Sequence, residues 1–79
     1  MLIKDNQRTQ DLRTTLGSAN YLNHVPSEDA GIVARLRGAG AIVVGKTNIP
    51  EYSIGANTVN TVFGTTGNPF DPSKTCGGS

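Results

Sequence analysis

This 79-residue sequence predicts an α/β fold: one strand–helix–strand unit followed by a long loop tail. Three observations carry that expectation. The chain opens on apolar Met1-Leu2-Ile3, a helix-patterned stretch follows Pro26, and the unbroken apolar run Ala41-Ile42-Val43-Val44 lies between glycines. Strand, connection, helix, strand is the order of a parallel βαβ unit.

The first strand is expected near residues 1–4, because the apolar start stops at Lys4-Asp5-Asn6. Residues 7–26 are rich in Thr, Asn and Arg and read as loop, with a turn around Leu16-Gly17-Ser18. Leu12, Leu16, Tyr21, Leu22 and Val25 are the candidate pins of that loop to a core. A helix is expected over about 28–37. Ser27 is a suitable N-cap, and Glu28-Asp29 would put negative charge on the first turn. Ile32, Val33 and Leu36 share one helix face, Arg35 and Arg37 lie in the last turn, and Gly38 or Gly40 ends it. The second strand is expected over about 41–45, buried on both faces, because continuous β-branched residues suit a covered parallel strand. Lys46 would then stand just past its carboxyl end, the edge of an α/β sheet where ligands bind. The Gly-, Pro-, Thr- and Asn-rich tail 48–79 has Val59, Val62, Phe63 and Phe70 as its few anchors.

Composition removes several classes. A chain of this size buries only about 60% of its unfolded surface and is one small domain at most, 1–79. Charged residues are 16% and the net charge is +1, without the basic excess of a nucleic-acid module. One cysteine excludes an internal disulfide framework. Cys76 and His24 are too few for a zinc site. The longest apolar run is far short of the roughly 20 residues of a membrane span. Met1 to Asp5 lacks the apolar core of a signal peptide. The expectation is a cytoplasmic chain without metal or cofactor, and with neither nucleic acid nor membrane as partner.

Gly40 to Thr47 satisfies the phosphate-loop pattern G-x-x-x-x-G-K-S/T letter by letter. The physics opposes that reading. The four middle residues are strand formers whose N–H groups belong to a sheet, and Pro50 blocks the helix that should follow Thr47. Gly38-x-Gly40 follows a helix rather than a strand and reads as a C-cap, not a dinucleotide fingerprint. Lys46 is the strongest single candidate. Beside a buried strand it is either a desolvated lysine able to act as a neutral base or an exposed one paired with Glu51. Gly77-Gly78-Ser79 is the second candidate, since paired glycines let backbone approach a ligand and the serine offers a hydroxyl; alone, it reads as a frayed terminus. His24 reads as a loop histidine and Cys76 as non-catalytic, because neither has a partner at motif spacing.

The run Leu36 to Tyr52, with Gly45-Lys46-Thr47-Asn48-Ile49-Pro50 at its centre, resembles the lysine motif of the amidase signature family. Asn57 to Asn60, Phe63-Gly64, Gly67-Asn68-Pro69-Phe70-Asp71 and Gly77-Gly78-Ser79 follow in the family's order. Upstream, Leu2-Ile3-Lys4-Asp5-Asn6 and Leu12-Arg13-Thr14-Thr15-Leu16-Gly17-Ser18 match as well. The resemblance covers essentially the whole chain.

That resemblance implies a hydrolase of carboxamide C–N bonds, working through a nucleophilic serine, a bridging cis serine and a lysine. Lys46 matches the lysine, and Ser79 matches the first serine of the family's Gly-Gly-Ser-Ser-Gly-Gly stretch, the bridging one. The nucleophile lies further downstream in the family. On this reading residues 1–79 are a piece of the amidase fold cut at both ends, inactive alone, whose partners are a small-molecule amide and the rest of the amidase domain. Ile49-Pro50-Glu51 is closer to general amidases than to tRNA-dependent amidotransferase subunits, which would need a glutaminase role and partner subunits. The alternatives are a truncated, non-catalytic interaction module and nucleotide binding through Gly40–Thr47.

Overall fold

The computed structural model describes residues 1–78. Its centre is a pair of parallel strands, β1 (Leu2–Lys4) and β2 (Gly45–Thr47), in the register Leu2 to Gly45, Ile3 to Lys46 and Lys4 to Thr47. Helix α1 (Gly31–Gly38) lies between them in sequence, so the expected βαβ order is present.

The helix starts three residues later than its sequence signals suggest. Ser27 is not its cap, and no acidic residue lies in its first turn; Ala30 holds the N-cap position without a side-chain bond. The segment before it is committed elsewhere. The Ala30 N–H donates to the Arg8 carbonyl at 2.8 Å, and Asp29 Oδ1 accepts from the Gln10 N–H at 2.7 Å. These bonds to the 8–10 loop outcompete a helical turn at 28–30. Asp29 still meets the helix, through Arg37 Nη1 at 3.2 Å. The end behaves as expected. Arg35 and Arg37 lie in the last turn, Gly40 takes φ +99°, and the N–H groups of Gly40 and Ala41 donate to the Arg37 and Leu36 carbonyls. That is the double closure of a glycine-stopped helix.

The second strand is displaced from its expected place. Regular pairing covers Gly45–Thr47, so Lys46 is the middle of β2 and not a residue beyond it. The run 41–44 approaches the sheet, since the Val44 N–H donates to the Met1 carbonyl and the Met1 amino group to the Ile42 carbonyl. It is not buried on both faces: Ile42 is 76% and Val44 72% exposed, while Ala41 and Val43 are half-buried. Among the described residues this sheet has two strands only.

The pins also differ. The buried apolar residues are Ile3, Val33 and Ile49. Leu12 and Leu16 are half-buried, but Tyr21, Leu22 and Val25 are exposed. The loop is held instead by Thr9, Thr14, Thr15 and Ser18, all buried. Its turn at Leu16-Gly17 has positive φ at both residues and leads into a 3₁₀ turn, Ala19–Tyr21. The tail is not one long loop. It contains a 3₁₀ turn at Glu51–Ser53 and two short antiparallel hairpins, β3 (Val59–Asn60) with β4 (Gly64–Thr65) and β5 (Gly67–Asn68) with β6 (Asp71–Thr75). Val59, Phe63 and Phe70 are exposed and Val62 half-buried; the tail's buried groups are Ile49, Pro50, Thr58 and Asn60.

Candidate active site

β2 carries Lys46 into the body of the chain, where its side chain is 13% exposed. The ammonium meets three acceptors: the Gln7 carbonyl at 2.6 Å, Thr9 Oγ1 at 2.9 Å and Thr14 Oγ1 at 2.8 Å. Both hydroxyls donate their own protons to backbone carbonyls, Thr9 to Gln7 at 3.0 Å and Thr14 to Leu12 at 3.1 Å. Their oxygens therefore face Nζ as acceptors. A fourth group, Asp5 Oδ1, stands 4.0 Å from Nζ. Burial pushes the Lys46 pKa below its ordinary 10.5, and the Asp5 carboxylate opposes that by favouring the charged form. Lys46 is thus buried rather than exposed, and the carboxylate beside it is Asp5 rather than Glu51.

Asp5 directly follows β1 and is 2% exposed. Its Oδ1 accepts from the Thr15 N–H at 3.1 Å, and its Oδ2 accepts a short bond from the Thr15 hydroxyl. Its N–H donates to the Thr47 carbonyl at 3.0 Å, extending the β1–β2 ladder. Sequence reasoning did not single out Asp5, Thr9, Thr14 or Thr15. A hydrophobic pattern is blind to polar groups that are buried because they satisfy one another. The available signal was the match of Leu2–Asn6 and Leu12–Ser18 to the family's order, which includes Asp5, Thr14 and Thr15 without assigning them a role.

In front of Lys46 lies an open cleft of about 290 Å³, lined by Asp5, Arg13, Asn48, Phe63 and Thr66 as well as Lys46 itself. The Arg13 guanidinium carbon sits 5.0 Å from the centre of the Phe63 ring, and Nη1 donates to the Leu22 carbonyl at 3.3 Å. Asn48, two residues past Lys46, donates to Thr66 Oγ1 at 2.9 Å and accepts from Asn60 Nδ2 at 2.6 Å. The Thr66 N–H donates to the Thr58 carbonyl, and Thr58 Oγ1 donates to the Gly77 carbonyl at 3.0 Å. A hydrogen-bonded path thus runs from beside Lys46 to Gly77. A Cβ at Gly78 would collide with Thr58 Oγ1, so Gly78 serves a close approach of backbone, whereas Gly77 has open space and a positive φ. Ser79 lies outside the described residues.

The remaining candidates stay apart from this centre. His24 is exposed and stacks edge-on with Tyr21; Cys76 is an exposed free thiol. Gly40–Thr47 forms no phosphate cradle. The Ala41 and Val44 N–H groups are spent on Leu36 and Met1, Gly45–Thr47 is sheet, and Lys46 turns to the threonines. Among the described residues no group of three His, Cys, Asp or Glu side chains could hold a metal, and no helix is long and apolar enough to cross a membrane.

A family model described as Amidase matches residues 1–79. The glutamyl-tRNA(Gln) amidotransferase A subunit of Rhodopirellula baltica is 53% identical over 77 residues, covering 98% of this chain and 15% of that protein. The protein of the same name from Thermus thermophilus is 49% identical over 77 residues, again 98% of this chain and 16% of that protein. The crystal structure of the Thermotoga maritima protein, also a glutamyl-tRNA(Gln) amidotransferase A subunit, superimposes with a TM-score of 0.91 at 40% identity, over 99% of this chain and 17% of that one. The chain therefore spans about a sixth of the length of these relatives.

Proposed function

The chain belongs to the amidase signature family, and on that premise we propose that it supplies the lysine base of an enzyme that breaks carboxamide C–N bonds. The observation that carries this reading is the burial of Lys46 among Gln7, Thr9 and Thr14, at the floor of an open cleft. Desolvation makes a lysine easier to deprotonate, and a neutral amine can take the proton of a hydroxyl nucleophile. Lys46 in this role draws a proton through the bridging serine, Ser79. The nucleophile then attacks the amide carbonyl, ammonia or an amine leaves, and water releases the acyl group. The path from Asn48 through Thr66 and Thr58 to Gly77 supports a C-terminal run held in register with Lys46.

A finer reading is favoured by the names of the relatives. An amidotransferase subunit would use such a site on glutamine, with ammonia passed to a glutamyl-tRNA and partner subunits completing the enzyme. The 53% and 49% identities to proteins so named support it over a general amidase acting on linear amides.

The test uses the complete gene product and measures ammonia release from glutamine and from a simple aromatic amide. Lys46→Met is expected to lower kcat by about 10²–10⁴-fold, the usual worth of a positioned base. Turnover at the wild-type rate would remove Lys46 from the chemistry. Release from glutamine alone would favour the amidotransferase reading, and release from the aromatic amide the general one.

A further inference from the structure

The lysine accounts for the proposed base, but not for the buried carboxylate behind it. We propose that Asp5 is a positioning residue for Lys46, the keystone that joins the strand carrying the lysine to the loop carrying its hydroxyl partners. The proposal rests on the reading of Lys46 as the base and extends it to a residue that the amide chemistry does not itself require.

The geometry is specific. Through its N–H, Asp5 holds the Thr47 carbonyl, one residue beyond Lys46. Through its carbonyl it holds the Leu16 N–H at 3.2 Å, and through its carboxylate the Thr15 N–H and hydroxyl. Thr14, whose Oγ1 lies 2.8 Å from Nζ, is the neighbour of Thr15. One residue thus sets the spacing between Nζ and a principal acceptor. Thr15 in turn receives the Gly17 N–H on its Oγ1 at 3.1 Å, which fixes the hydroxyl to aim at Asp5. An ammonium has three N–H donors, and the Gln7 carbonyl and two threonine oxygens match them. A neutral amine keeps two donors and a lone pair. A threonine hydroxyl can then rotate its proton from its own carbonyl partner onto Nζ, so the site has bonds to offer in both charge states.

Asp5 also supplies charge. The ionisable groups at this centre are Asp5, from the end of β1, and Arg13, which shares the cleft. At 4.0 Å the Asp5 carboxylate holds a proton on Nζ against the pull of burial. Its removal makes Lys46 give up that proton at lower pH.

The experiment is the pH profile of amide hydrolysis by the complete gene product and its Asp5→Asn variant, which keeps the shape and loses the charge. The expected result is an acid limb of kcat displaced to lower pH and a plateau about tenfold lower, a fraction of what the base itself is worth. KM should stay within about twofold, since the Asp5 carboxylate at the cleft wall is engaged by the Thr15 N–H and hydroxyl and not offered to substrate. Asp5→Glu, restoring the charge, should return the acid limb toward the wild-type position. An unmoved acid limb in folded Asp5→Asn would overturn the proposal, as would a loss appearing only in KM. If Asp5→Asn does not fold, Thr14→Ser and Thr14→Val replace it. The serine should retain kcat and the valine lose it, whereas equal loss in both would overturn the cradle. If the wild type hydrolyses no amide, the amidase reading fails by itself. The pH dependence of Lys46 acylation by an amine-selective reagent, read by mass spectrometry, then decides on Asp5. A midpoint at lower pH in Asp5→Asn upholds the positioning role, and an unchanged midpoint refutes it.

Discussion

At Lys46, burial and a neighbouring carboxylate pull in opposite directions, and burial is the larger influence. This has a consequence for stability. The folded Lys46 titrates below 10.5, so between its lowered midpoint and 10.5 the unfolded chain binds a proton that the folded chain has released. The Lys46 contribution to stability therefore rises with pH across that window, and below it the whole cost of burying an ammonium is present. The difference in urea midpoint between wild type and Lys46→Met should shift in favour of wild type as pH rises toward 10.5. A difference that stays flat would show that the lysine is not desolvated. Sequence position alone left two lysines open, one buried and one paired with Glu51. The three acceptors that decided between them come from residues 32 to 39 positions away, beyond the reach of any local pattern.

At the scale of elements, polar side chains replace the leucines that patterning nominated. Asn60 shows this best. It is 8% exposed and makes four bonds. Its Nδ2 donates to Asn48 Oδ1 and the Ile49 carbonyl, and its Oδ1 accepts from the Val62 and Phe63 N–H groups. The first two tie the β3–β4 hairpin to the segment after β2; the other two shape its turn. Asn60→Ala would leave several of these groups without partners, at a cost of about 3 kcal/mol. Thermal melts of the complete gene product check this, and a loss near zero would show that water satisfies the turn. In α1, Val33 is fully buried and Leu36 half-buried, but Ile32 is 58% exposed. Val33→Ala should accordingly cost about 2 kcal/mol by the cavity it leaves. Ile32→Ala in the 79-residue chain should cost much less.

For the molecule as a whole, the notable feature is how much apolar surface faces outward. Leu2, Ile42, Val44 and Ile54 are all at least 60% exposed and Phe70 is 96% exposed, against three buried hydrophobic residues among those described. Apolar surface exposed to this extent seeks a cover, and an unpaired strand edge seeks another strand. The further length of the relatives supports a cover from the rest of an amidase domain. Opposite signs are then expected from one pair of substitutions. Ile42→Lys with Val44→Lys should raise the solubility of residues 1–79 expressed alone and reduce their binding of an apolar dye. The same pair should lower the melting temperature of the complete gene product, because a charge would be buried without a partner. Equal signs in both settings would show that this face is solvent-facing in the mature fold.

What the sequence by itself determined is the local grammar and the family. The strand–helix–strand order, the helix stop at Gly38 to Gly40 and the rejection of Gly40–Thr47 as a phosphate loop were all legible. Each depends on neighbours within a few positions, or on a motif order spread along the chain. Only the tertiary structure decided where the helix starts, which strand residue faces the core, and what surrounds the lysine. Ser27 lost the cap because Ala30 and Asp29 bind the 8–10 loop. Ile42 and Val44 remained exposed because the regular strand pairing begins only at Gly45, after the apolar run. Asp5, Thr9, Thr14 and Thr15 came together around Lys46 because the β1–β2 pairing brings Asp5 beside it, and buried polar groups find partners wherever the fold places them.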